Sequence, residues 1–103
     1  MLARFLSRFL PLSLAVCASP LASAQDGGQL RLLAANCANC HGTDGRSQGG
    51  MPVLSGANRT GMIEQLREFK SGKRPATVMH QISKGYTDAE IDALAAYFSS
   101  LKQ

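Results

Sequence analysis

Cys37-Ala38-Asn39-Cys40-His41 is the stretch from which the rest of this chain is read. The C-x-x-C-H spacing is that of covalent attachment of a c-type haem. Each thiol can add across one vinyl group of a porphyrin, giving two thioether bonds. Two intervening residues bring both sulfurs to vinyls on the same side of the ring. The imidazole directly after Cys40 is placed to take the iron as a ligand. A chain built this way folds around a cofactor bonded to its own backbone.

Two cysteines at this spacing have other uses. A thioredoxin-like redox pair requires a strand–helix setting within an α/β unit, and no strand pattern is found. A zinc site requires two more ligands at close spacing. The remaining candidates are His80 and Cys17, and Cys17 falls in a leader segment. A structural disulfide gives His41 no role.

Residues 1–24 read as a secretory signal peptide. Arg4 and Arg8 make a positive start, Phe9 to Ala18 is apolar apart from Pro11 and Ser13, and Ala22-Ser23-Ala24 fits small-residue cleavage before Gln25. The apolar run is too short to span a bilayer. Leu14-Ala15-Val16-Cys17 faintly resembles a lipid-attachment site, but Val16 is bulky where a small residue is wanted. Export to the periplasm agrees with the cofactor, because c-type attachment takes place outside the bacterial cytoplasm.

Residues 25–103 then form one monohaem domain of 79 residues. That is near the size at which a side-chain core alone is marginal, and a haem adds a large apolar centre. The domain keeps nine Lys and Arg against seven Asp and Glu. Basic and aromatic residues are not interleaved as nucleic-acid binding requires. The charges read as a solvated surface with modest steering of partners.

The pattern predicts an all-α fold with long loops. Gly27 to Ala35 is a first helix, with Leu30, Leu33 and Ala34 on one face. Residues 42–60 are rich in Gly, Pro, Asn and Ser and read as a loop that packs on the haem edge. Thr60 is expected to cap a helix over Gly61 to Ser71, with Met62, Leu66 and Phe69 aligned and Gly72 as the stop. Pro75 is expected to open a short helical stretch ending near Gly85. Thr87-Asp88-Ala89-Glu90 is a capping box, followed by an apolar stripe of Ile91, Leu94, Ala95, Phe98 and Leu101.

The second face of the iron decides the chemistry. An open face suits gas binding or peroxide chemistry, a methionine raises the reduction potential for electron transfer, and a second histidine gives a lower potential. Met51, Met62, Met79 and His80 are the candidates. Met62 lies on the apolar face of a helix, and Met51 is ten residues from His41. Spacing favours Met79, which comes after a full helix in which the chain can cross the haem. His80 beside it is the rival that spacing does not remove.

The chain resembles small bacterial class I cytochromes c. The matching stretches are Cys37 to Gly42, Met51-Pro52-Val53-Leu54-Ser55-Gly56, and Ala95-Ala96-Tyr97-Phe98. The resemblance implies a few helices wrapping one haem c, with first and last helices crossing. It implies that Met79 is an axial ligand beside His41. It also implies that the carbonyl of Pro52 accepts the Nδ1–H of His41. Gly28 lies nine residues before Cys37, where many members place the helix-crossing glycine eight before.

Residues 68–79 and 82–88 are similar to the haem subunit of flavocytochrome c sulfide dehydrogenase, with parts shared by the cytochrome c4 and c553 groups. That implies a periplasmic one-electron carrier taking electrons from an FAD-bearing subunit that oxidises sulfide, with no bond chemistry of its own. Arg74 is then a candidate contact for a haem propionate. The alternatives are a free-standing c553/c4-like shuttle, and a sensing or catalytic haem with an exchangeable sixth ligand.

Overall fold

The computed structural model describes residues 25–103; the leader segment and Cys17 lie outside the described residues. Five helices follow in order: α1 (Gln25–Ala35), α2 (Ala38–His41), α3 (Arg59–Ser71), α4 (Met79–Lys84) and α5 (Asp88–Ser100). A 3₁₀ turn at Thr43–Gly45 follows α2 directly. No strand occurs among the described residues, in agreement with the all-α expectation.

The last helix starts as the sequence dictates. Thr87 Oγ1 accepts the Glu90 N–H at 3.1 Å, and Glu90 Oε2 accepts the Thr87 N–H at 2.8 Å. Both partners of the box are engaged, which satisfies two donors that a helix end otherwise leaves open. The stripe that follows buries Ile91, Leu94, Ala95 and Phe98. Of these, Leu94, Ala95 and Phe98 pack with Ala34 of α1 and Met62 of α3 into one small core, flanked by Leu30, Leu33, Leu66 and Leu101. Helix α1 packs on α5, and α3 packs on both α4 and α5.

Two boundaries differ from expectation. Helix α3 starts at Arg59, capped by Asn58 and not by Thr60; the Asn58 side chain accepts the Gly61 N–H at 2.8 Å. Asparagine is the better cap, and its amide oxygen reaches the third N–H of the helix. Gly72 ends α3 as expected, in the left-handed region at φ +81°.

Pro75 does not open a helix, because α4 begins only at Met79. The chain after Gly72 turns back on α3 instead. The Arg74 N–H donates to the Glu68 carbonyl at 3.2 Å, and the Arg74 Nε donates to the Glu68 carboxylate at 2.9 Å. That fold-back leaves Pro75 in a non-helical linker. Gly28 is exposed, and a Cβ added there meets nothing within 4 Å. The packing of α1 on α5 runs through Leu30, Leu33 and Ala34 instead.

Candidate functional site

The C-x-x-C-H stretch is a single helical turn. The Cys37 carbonyl accepts the N–H of Cys40 at 3.3 Å and of His41 at 2.8 Å. Residues spaced i, i+3 and i+4 on a helix share a face. Both thiols and the imidazole accordingly line one cavity of about 430 Å³. Cys37 is half-buried and Cys40 exposed, and the two are not paired in a disulfide. Burial pushes the Cys37 thiol up from its ordinary value, partly offset by a backbone hydrogen bond.

His41 is buried at 7 % exposure. Its Nδ1 lies 2.7 Å from the Pro52 carbonyl oxygen. A carbonyl only accepts, so Nδ1 carries the proton and Nε2 of the neutral ring keeps a lone pair. Nε2 is buried with no hydrogen-bond partner. An orphaned imidazole lone pair in an apolar cavity is costly unless something binds it. A haem iron suits that position.

The other helices line the same cavity. Met62, Leu66 and Phe69 come from α3, and Leu94 and Phe98 from α5. Helix α4 and the residue before it add Val78, Met79 and Ile82. No Lys, Arg, Asp or Glu is among the lining residues, which suits a porphyrin face. The polar residues at the lining include Asn36 and Tyr86, whose side chains meet at 3.5 Å. That contact links the α1–α2 turn to the α4–α5 turn. Sequence reading did not single it out, because neither residue carries a motif.

Three methionines line the cavity, but in different settings. Met62 is part of the buried core and Met51 is 40 % exposed on the loop. Met79 is the first residue of α4 and is half-buried. His80 is not among the lining residues; its Nδ1 is buried without a partner elsewhere. Arg74 is also outside the lining. Its guanidinium pairs with Glu68 at 2.9 Å and stacks over the Phe69 ring at 5.7 Å. Among the described residues, no group of three or more His, Cys, Asp and Glu side chains is placed to hold a metal ion.

A haem c therefore fits the two thiols on one helical face, the orphaned Nε2 and the apolar walls. Comparison with known proteins agrees. Residues 25–102 match the family described as Cytochrome c. The chain belongs to the cytochrome c family. Its cofactor is haem c, bonded through Cys37 and Cys40, and electron transfer is the chemistry of this domain.

Among its relatives, it is 42 % identical over 72 residues to the cytochrome subunit of sulfide dehydrogenase from Chlorobaculum tepidum, covering 70 % of this chain and 66 % of that protein. It is 30 % identical over 83 residues to cytochrome c-553 of Helicobacter pylori, covering 79 % of this chain and 86 % of that protein. A solved cytochrome c4 structure from Acidithiobacillus ferrooxidans superposes with a TM-score of 0.60 at 45 % identity, covering 63 % of this chain and 38 % of that one. The chain thus spans just under two thirds of the first relative and well under half of the solved one. Among the described residues, no helix is long and apolar enough to cross a membrane.

Proposed function

We propose that residues 25–103 form a periplasmic electron carrier, released by cleavage before Gln25, with His41 and Met79 as the axial ligands of its haem iron. The observation that carries this reading is the pair lining one apolar cavity: His41, with Nε2 buried and unpartnered, and Met79. When bound, haem c supplies a one-electron ferric/ferrous couple, and a His/Met ligand pair places it at raised potential.

The chain's own residues prepare the site. The single turn from Cys37 to His41 holds two thiols and an imidazole on one face. The Pro52 carbonyl holds the Nδ1 proton, which orients His41 and makes Nε2 a stronger donor. Helices α3, α4 and α5 give the cavity apolar walls against which a porphyrin would pack. Were His41 and Met79 both to hold the iron in either oxidation state, little reorganisation would accompany electron transfer. The ion pair with Glu68 takes Arg74 out of this reading, so no propionate contact is assigned to it.

The leading partner is an FAD-bearing subunit that oxidises sulfide and passes electrons to this domain. The similarity to the Chlorobaculum tepidum subunit supports that choice. A diffusible shuttle is the second reading, supported by the match across most of the Helicobacter pylori cytochrome c-553.

One preparation separates the two. The protein is purified from native periplasm at low salt, and its visible spectrum is recorded before and after sulfide is added. Co-purification of a flavoprotein with rapid haem reduction is the result expected for the subunit. An isolated cytochrome that sulfide reduces only slowly supports the shuttle. Recovery from the cytoplasmic fraction alone contradicts both.

A further inference from the structure

Residues 45–55 form a closed loop whose returning arm meets His41 at Pro52 and whose neck is held by the end of α5. At the neck, the Gly45 carbonyl accepts the N–H of Leu54 at 2.8 Å and of Ser55 at 3.2 Å. The Gly56 N–H then donates to the Phe98 carbonyl at 2.8 Å. Gly45 is buried at φ +71°, and a Cβ there falls 2.6 Å from the Leu54 Cβ and 3.1 Å from the Phe98 ring. Only glycine fits both the backbone conformation and the space.

A second grip lies one residue on. The Arg46 guanidinium donates to the Lys102 carbonyl at 2.9 Å, with its other nitrogen on Asp44 at 3.2 Å. Among the described residues, 47–53 make no backbone–backbone hydrogen bond of their own. The returning arm, two residues before the neck, is tied to the domain by the His41–Pro52 bond. Where Pro52 sits therefore depends on how the neck is closed.

We propose that Gly45, together with the Arg46–Lys102 clasp, is a positioning element that holds the Pro52 carbonyl on His41 Nδ1 and thereby tunes the haem's reduction potential from the end of α5. The inference rests on His41 being an iron ligand. A carbonyl on the Nδ1 proton increases electron density at Nε2, which favours the ferric state. Opening the neck weakens that bond and shifts the couple toward the ferrous state. A bond stronger by about 1 kcal/mol in the ferric than in the ferrous state corresponds to a change of about fivefold in the ferrous-to-ferric ratio at fixed solution potential.

The test uses haem-loaded protein carrying Gly45→Ala or Arg46→Met. Gly72→Ala is the control, because Gly72 also has a positive φ but a Cβ there meets nothing within 4 Å. Two quantities are read: the ferrous fraction at a fixed poised potential, and solvent exchange of the His41 Nδ1 proton by NMR in the ferrous form. Both variants are expected to raise the ferrous fraction and speed the exchange, Gly45→Ala the more, while Gly72→Ala loses stability and moves neither. If Gly45→Ala yields no loaded protein, Arg46→Met decides alone. Unchanged potential and exchange in the loaded variants, on a wild type whose His41 ring signals shift with oxidation state, overturns the neck's role. A wild type whose His41 signals do not shift removes the ligand reading, and this inference with it.

Discussion

Substituting Cys37 and Cys40 together with alanine is expected to remove the folded domain and not merely its colour. The core explains the size of the effect. Its buried apolar residues are Ala34, Met62, Ile91, Leu94, Ala95 and Phe98, and two of the six are alanines. Leu66, Phe69, Leu94 and Phe98 face a cavity of about 430 Å³ that water would otherwise enter. The buried His41 Nε2 would also remain unpaired. A bound group stabilises the folded state in proportion to its occupancy, and a covalent bond makes occupancy complete. The measurement is thermal unfolding by circular dichroism, alongside haem detection on a denaturing gel. The expected result is no haem on the gel and no cooperative transition. Each single cysteine variant should keep one thioether and an intermediate midpoint. A cooperative transition in the double variant contradicts the view that the haem completes the core.

The second large effect is expected from Met79→Ala. Loss of a thioether ligand should lower the reduction potential by on the order of 0.1–0.3 V, part of the roughly 0.8 V range that axial ligands span. It should also abolish the charge-transfer band between methionine and ferric iron and let cyanide or imidazole bind at neutral pH. Potentiometric titration and absorption spectra of the variant check all three. His80→Ala should leave the band in place, since His80 does not line the cavity. Rapid cyanide binding by the wild type would instead favour a sensing or catalytic haem.

The cofactor was legible in the sequence because its chemistry is local. Cys37, Cys40 and His41 share one turn, so the spacing alone places them on one face. The α5 start was legible for the same reason, since Thr87 and Glu90 satisfy each other within one turn. What depended on distant contacts was not legible. Helix α4 begins at Met79 and not at Pro75 because Arg74 folds back on Glu68, a tie that the sequence of the linker does not announce. The same ion pair takes Arg74 away from the cavity. Met79 and His80 are neighbours in sequence, and the start of α4 separates them by placing Met79 in the lining and His80 outside it. Gly45 looked like one loop glycine among many until Leu54 and Phe98 were seen against it.

Ligation by Met79 carries the electron-transfer reading, and proton NMR of the ferrous protein tests it most directly. A methionine methyl held over the porphyrin face is shifted far upfield by the ring current, and replacing each methionine in turn assigns it. The account predicts one such methyl, lost in Met79→Ala and kept when Met51 or Met62 is replaced. An upfield methyl that belongs to Met51 or Met62, or none at all with His80 bound in its place, contradicts the account.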